Sequence, residues 1–438
     1  MELKEKLKAF IQKIAVFLDR QPHINSMKNG ILVTVPATII GGIMMIIATP
    51  PVTSDMQPTN FFFSFMQAWK DWATTYNEVL MIPYHLTLGV ISVYAVAAIA
   101  YYMAKKRNVN ELSATVSAVM IFLMVAAPAK SYTDLGTMLS IAYLDGKGLF
   151  SAIIVGLLSV EVMSFLFKRN IKIHMPDSVP PMVTAPFEAL IPLIVNIILF
   201  FGGSLILESV SGYSLPAFII AIMKPLIYAA DSLPGILFMV FLINLFWIFG
   251  INGGAVVNSV ASAFVLANLS ANAAAVEAGE SMQYINAGPF YNVFGNIGGF
   301  AATLGMVIVM LIVSRSAQLK SVSRIAIGPQ LFNINEPVTY GMPLVMNPYM
   351  VVPILLVPSV NVIIAYFCTS IGLIGKIYIN APWTLPGPLL AFASTLDWKA
   401  VVLWFVLLAL DMVMYLPFLK MYDRYLLAKE EGEELEEA

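Results

Sequence analysis

The sequence predicts an all-α, polytopic membrane protein with about ten transmembrane helices and two re-entrant hairpins. Charge is too sparse for a water-facing surface, apolar runs of membrane-spanning length recur, and Lys and Arg gather in alternate loops. Of 438 residues, 59% are hydrophobic and 11% charged, and mean hydropathy is +0.83; a soluble domain carries about 25% charge. The net charge of −2 says less than where the charges lie.

Residues 1–30 interleave Lys4, Lys6, Lys8 and Lys13 with Leu3, Leu7, Phe10, Ile11, Ile14 and Phe17. With neither an apolar h-region nor a small-residue cleavage site, they read as a basic amphipathic helix on the cytoplasmic membrane face, not a signal peptide. Spans of about 17 to 25 apolar residues follow at 31–49, 79–104, 110–128, 148–167, 185–207, 234–251, 255–270, 292–313, 350–373 and 400–420. With the N-terminus inside, ten crossings put every basic cluster on one side: the N-terminal helix, Lys105-Lys106-Arg107, Lys168-Arg169 with Lys172, Arg315 with Lys320 and Arg324, and Lys420 with Arg424. Both termini are then cytoplasmic.

Segments 325–347 and 377–396 are apolar but broken by Gly, Pro and polar residues. Such backbone survives at membrane depth only inside protein or along a wet cavity, which marks both as re-entrant hairpins. Residues 216–230, with Lys224 and Pro225, read as an interfacial helix ahead of the Asp231-Ser232-Leu233-Pro234-Gly235 turn. The expected layout is a membrane domain over 31–213, an amphipathic connector over 214–233, a transport domain over 234–425 and an acidic tail over 426–438. No internal repeat is evident, which weighs against inverted-repeat transporters.

Glu336 lies in Phe332-Asn333-Ile334-Asn335-Glu336-Pro337. An ionisable side chain at membrane depth costs about 2.5 to 3.5 kcal/mol on insertion scales and marks a functional site. Pro337 predicts extended backbone at Glu336. Two amides, a carboxylate and freed carbonyls suit a hydroxylated solute; the alternative is that Glu336 pairs with Arg324 or caps a helix. A second cluster is Asn244, Trp247, Gly250, Asn252, Gly253, Gly254 and Asn258, where Trp247 offers a face for a sugar ring; small-residue helix packing is its alternative. The third is Asn380-Ala-Pro-Trp383-Thr384. His85 and His174 are lone histidines, a type more often structural than ligating; His85 is carried as a substrate-binding candidate. Asp411, Glu161 and Glu188 are acids within apolar runs.

The single Cys368 excludes an intrachain disulfide and a Cys/His metal cluster. No phosphate-binding loop ending in Gly-Lys-Ser/Thr and no His-Glu-x-x-His occurs, so no cofactor or metal is expected. No basic groove interleaved with aromatics suggests nucleic acid.

At these motifs the sequence resembles enzyme IIC, the membrane subunit of sugar phosphotransferase systems, in the lactose/cellobiose/chitobiose branch. The resemblance rests on His174-Met-Pro-Asp-Ser-Val-Pro-Pro181, Ser232-Leu-Pro-Gly235 leading to Leu245-Phe-Trp-Ile-Phe-Gly250, Asn333-Ile-Asn-Glu-Pro337 and Pro382-Trp383-Thr384. It spans nearly the whole chain. It implies a homodimer in a bacterial cytoplasmic membrane, with dimer contacts in the N-terminal half and a β-linked disaccharide, of the cellobiose or chitobiose type, in the C-terminal half. A separate cytosolic IIB subunit would donate phosphate from a phosphocysteine to the sugar's 6-hydroxyl. Glu336 would bond and orient or deprotonate that hydroxyl, with Asn335 beside it and Trp247 and Trp383 against sugar rings. The family commonly has Gly-Ile-His-Gly where this chain reads Gly250-Ile251-Asn252-Gly253. Asn252 can imitate one ring nitrogen but cannot titrate near neutrality. An ion-coupled or facilitative sugar transporter, or a sugar sensor, remains the alternative.

Overall fold

In the computed structural model, the described residues are Lys13, Phe17 and 21–431, apart from 51–60, 134–135, 177–178 and 343. The expected N-terminal helix lies outside them up to residue 20 except for those two positions, and the acidic tail lies outside from 432.

The first helices are α1 (Pro22–Val33), α2 (Val35–Ala48), α3 (Phe61–Thr75), α4 (Asn77–His85), α5 (Ile91–Arg107) and α6 (Glu111–Ala126). A ladder of β1 (Ala129–Tyr132) and β2 (Gly136–Leu139) precedes α7 (Leu149–Lys168), α8 (Pro181–Ile197), α9 (Gly203–Ser211) and α10 (Leu215–Asp231). Then come α11 (Leu233–Ile248), α12 (Gly253–Glu277), α13 (Thr303–Val313), α14 (Ala317–Gln330) and α15 (Glu336–Gly341). The last are α16 (Val351–Ser370), α17 (Gly387–Thr395) and α18 (Trp398–Glu430).

Among the described residues, eight helical stretches are long and apolar enough to cross a membrane, and nine if the bent pair α10 and α11 forms one span. The sixteen-residue α6 supplies the tenth expected run but falls short in length. The first span begins at Pro22 and not at 31, the second at Leu88 and not at 79, and the expected 255–270 extends over Gly253–Glu277. The short ladder is the one departure from an all-α chain among the described residues. Gly136, at φ +73°, supplies a backbone conformation open to glycine, and Ser131 and Thr137 pair across the strands with their hydroxyls 3.1 Å apart.

The chain divides into two compact units. The N-terminal unit is Phe17–Tyr228 with Asn258–Ser281; the C-terminal unit holds Ala229–Val257 and the described part of Met282–Ala438. Residues 258–281, expected within the transport domain, therefore belong to the unit built from the first half.

The N-terminal unit is packed through small residues. Ile99 of α5 is fully buried between Gly30 of α1 and Gly156 of α7; a Cβ on Gly30 would lie 2.4 Å from its Cγ1, and one on Gly156 would lie 3.2 Å from its Cγ2. Close backbone approach takes the place of a hydrophobic drive that lipid cannot supply. The acids in apolar runs find partners: Glu161 pairs with Arg107 and, at 2.7 Å, with His23, while Glu188 accepts from Lys172 at 2.6 Å.

In the C-terminal unit α13 packs on α18 at Gly305, where a Cβ would lie 2.6 Å from Cβ of Asp411. Asp411 is fully buried and accepts from Asn361 Nδ2 at 2.8 Å. Segment 282–286 is held at both ends: Lys376 donates to the carbonyls of Met282 (2.8 Å) and Gln283 (3.0 Å), and Asp231 accepts from the amides of Ile285 (2.9 Å) and Asn286 (2.6 Å). Burial pushes the Lys376 ammonium below its ordinary pKa, and the Asp231 carboxylate works against that.

The start of α14 is tied to α18 by one carboxylate. Asp423, buried, accepts from the Arg315 amide (2.9 Å), the Ser316 amide (3.0 Å) and the Ser316 hydroxyl (2.7 Å). These amides have no partner within the helix. Asp423→Ala is expected to lower stability by about 2 kcal/mol, as loss of a buried multidentate cap does, with Asp423→Asn falling between; thermal unfolding in detergent measures both.

Candidate functional site

The expected motif residues meet at the turn between α14 and α15. α14 ends in a Schellman arrangement: the Ile334 amide bonds the Pro329 carbonyl (3.1 Å), the Asn333 amide bonds the Gln330 carbonyl (3.0 Å), and Asn333 is left-handed at φ +61°. Asn is the residue that takes this position when Gly does not. The Asn333 side chain then spans two further segments. Its Nδ2 donates to the carbonyls of Trp383 (2.7 Å) and Leu385 (3.0 Å), and its Oδ1 accepts from the Gly298 amide (3.1 Å).

Asn335 is the N-cap of α15. Its carbonyl accepts from Val338 (3.1 Å) and Thr339 (3.0 Å), and its Nδ2 donates to the Thr339 hydroxyl at 2.8 Å. Glu336 opens the helix and Pro337 sits in its first turn. The extended backbone expected at Glu336 is not found; a proline in the first turn has no N–H bond to lose, so it starts a helix as readily as it interrupts one. Glu336 is exposed. Among the described residues its carboxylate has no hydrogen bond or ion pair, and the alternative pairing with Arg324 is not formed.

The span expected to run unbroken over 292–313 is interrupted. Gly298 and Gly299 have φ of +76° and +101°, and Ala301 and Ala302 follow at +60° and +55°. Non-glycine residues rarely hold that region, and such backbone concentrates at functional sites. A Cβ on Gly299 would lie 2.8 Å from Asn335 Cβ and 2.9 Å from the Asn333 carbonyl oxygen, so only glycine lets this backbone lie against the motif. The Tyr415 hydroxyl holds the Ala301 carbonyl at 2.5 Å. Gln330 donates to the Thr303 hydroxyl at 2.9 Å, joining the end of α14 to the start of α13.

Phe300 then stacks on Trp247, ring centroids 5.0 Å apart and 26° from parallel. Phe300 therefore covers one face of the half-buried Trp247 indole. Trp383 is 53% exposed, its backbone fixed by Asn333. Asn252 is exposed, and its Oδ1 accepts from the Ala255 amide at 2.9 Å, capping α12. Its turn is held to the segment after α15 by the Met346 amide on the Ile248 carbonyl (2.9 Å). Asn335, Glu336, Trp247, Trp383 and Asn252 thus lie on segments joined into one network within the C-terminal unit. Asn244 is a core residue, fully buried and donating to the Val240 carbonyl at 2.8 Å. His85 is not in this network: it belongs to the N-terminal unit, with Nε2 3.4 Å from Glu277 and its ring edge-on to Tyr84.

Sequence reasoning passed over Asn333 as a positioning residue and missed Gly299 and Phe300. The Gly298-Gly299 pair inside an apolar run was the available signal. Among the described residues no three His, Cys, Asp or Glu side chains group as metal ligands.

Residues 28–358 match the family model described as phosphotransferase system, EIIC. The chain is 33% identical over 99% of its length to the lichenan permease IIC component of Bacillus subtilis, covering 95% of that protein. It is 30% identical over 98% of its length to the lactose-specific EIICB component of Lacticaseibacillus casei, covering 72% of it. Its fold superposes with a TM-score of 0.87 on the crystal structure of the transporter ChbC, the IIC component from the N,N'-diacetylchitobiose-specific phosphotransferase system, at 32% identity, covering 98% of this chain and all of that one. A broken helix, a pinned Asn-Ile-Asn-Glu-Pro turn and these matches lead to one assignment: the chain belongs to the phosphotransferase system EIIC family of membrane permease components.

Proposed function

We propose that this permease takes a β-linked disaccharide, of the cellobiose or chitobiose type, and presents its 6-hydroxyl to a phosphorylated IIB subunit. The observation that carries this is the exposed Glu336 carboxylate, free of protein partners among the described residues and mounted on a turn that Asn333 pins to the Trp383 segment. Relatives named for lichenan, lactose and diacetylchitobiose support the substrate class, and the name EIICB supports a B component as partner.

In this reading sugar rings lie on the face of Trp247 turned away from Phe300 and on Trp383, where apolar ring faces leave water. Glu336 accepts a hydrogen bond from the 6-hydroxyl and takes its proton as the oxygen attacks phosphorus. The new P–O bond forms as the P–S bond to the IIB cysteine breaks, and the thiolate leaves. Phosphoryl transfer asks the protein mainly for positioning and electrostatics, and a carboxylate held on a rigid turn supplies both. Asn252 commits its carbonyl to the helix cap and so faces a ligand as an amide donor, not as a titrating ring. His85 belongs to the N-terminal unit, where it pairs with Glu277, and has no part in this reading. The basic clusters favour both termini on the cytoplasmic side, and the family resemblance a bacterial cytoplasmic membrane and a homodimer.

The test is uptake into proteoliposomes of purified protein, with radiolabelled cellobiose, chitobiose and lactose. Phosphosugar is expected inside only when phosphorylated IIB is present. Rapid accumulation of free sugar without it would identify an ion-coupled or facilitative transporter, and binding with neither activity a sensor.

A further inference from the structure

We propose that the N-terminal unit binds an anionic phospholipid along the groove between α1–α2 and α5, its phosphate at Lys105 and Lys106. The groove encloses about 660 Å³. Its α5 wall is Tyr94, Ala97, Ala98, Tyr101 and Tyr102, residues three and four apart that share one helical face. Lys105 and Lys106 stand four residues beyond Tyr101 and Tyr102, so the same face continues into two exposed ammonium groups. From Ala97 and Ala98 onward, polarity therefore rises along the stripe in two steps, from alanine to tyrosine to lysine. A phospholipid has the same order, from acyl chain through glycerol ester to phosphate.

Each step is chemically matched. The opposite wall includes Val33, Ala37 and Ile40, and Val33 and Ile40 are about half exposed, 54% and 49%, an apolar surface at membrane depth that an acyl chain covers. The alanines on both walls give the groove its depth. Tyr101 and Tyr102 pack edge-on, centroids 5.5 Å apart, and among the described residues their hydroxyls have no hydrogen-bond partner. Tyrosines of this kind sit at headgroup level. Tyr94, at the far end, is fixed through its hydroxyl on the Leu86 carbonyl at 2.6 Å. Arg107 is taken by Glu161, whereas Lys105 and Lys106 have no ion pair among the described residues.

Charge decides between a lipid and another protein surface. An apolar face laid over this end would strip water from two unpaired ammonium groups, while a phosphate neutralises them. Basic pockets between transmembrane helices on the cytoplasmic side are suited to anionic headgroups.

The experiment is native mass spectrometry of the full-length protein after equilibration with equal amounts of phosphatidylglycerol and phosphatidylcholine. Wild type is expected to retain phosphatidylglycerol preferentially, about 30-fold for two lysines at about 1 kcal/mol each. Lys105→Gln with Lys106→Gln should abolish the preference, and Ala98→Trp, which fills the groove, should release the lipid altogether. Equal retention of the two lipids by wild type, or an unchanged preference in the lysine variant, overturns the proposal. So does an Ala98→Trp protein that changes oligomeric state while keeping its lipid, since a second copy then covers the groove. Should Ala98→Trp not fold, the exposed lysine pair carries the test alone.

Discussion

Glu336→Gln is expected to lower IIB-dependent phosphorylation of the disaccharide by about two to four orders of magnitude, the usual contribution of a positioned acid–base group. Stability should move by no more than about 0.5 kcal/mol, as for exposed residues without partners. The separation follows from the environment: Glu336 is exposed and makes no hydrogen bond or ion pair among the described residues that the substitution would break, while Asn335 still caps the helix and Pro337 still starts it. Gln keeps the shape and can bond a hydroxyl but cannot accept its proton at neutral pH. Phosphosugar formation under single turnover, read beside thermal unfolding, tests both halves. Wild-type phosphorylation in the variant would remove Glu336 from the chemistry.

Asn333→Ala should have the largest structural effect. The substitution deletes three hydrogen bonds to two distant segments and puts a less tolerant residue at φ +61°. With about 1 kcal/mol per bond and a smaller backbone penalty, the expected loss is about 3 to 4 kcal/mol. Asn333→Gly separates the two contributions. It relieves the backbone but leaves the Trp383 and Leu385 carbonyls without their donor, so the fold should recover in part while sugar affinity stays weakened about 10-fold, on the order of one lost positioning contact. If Asn333→Gly binds sugar like wild type, the side chain does not position Trp383.

The spanning helices were legible because lipid imposes a length and a composition on each of them. The sparse Lys and Arg, clustered between apolar runs, gave an independent count of expected crossings. The break at 296–302 was not legible: two glycines inside an apolar run barely change its mean hydropathy, and the left-handed Ala301 and Ala302 depend on a carbonyl held by Tyr415, more than one hundred residues away. Asn333 was visible as a polar residue in a motif, but its partners lie 35 to 52 residues from it in sequence and only the fold brings them together. Asp423 acts across a longer gap, 107 residues from Ser316. Asn252 teaches the converse. Asn-Gly-Gly ahead of a small-residue helix is a helix-start signal, and reading that position as a sugar-facing amide and a replaced histidine hid its role as a cap. The assignment of 258–281 to the N-terminal unit also rests on tertiary packing that hydropathy does not encode.

The central claim is that the Glu336 carboxylate addresses the hydroxyl that receives phosphate. A double-mutant cycle tests it most directly: equilibrium binding by wild type and Glu336→Gln of the preferred disaccharide and of its analogue lacking that 6-hydroxyl. If the two groups meet, removing either weakens binding and removing both costs little more, giving a coupling of about 1.5 to 3 kcal/mol for a hydrogen bond to a charged group. Additive losses, with a coupling near zero, would contradict the assignment.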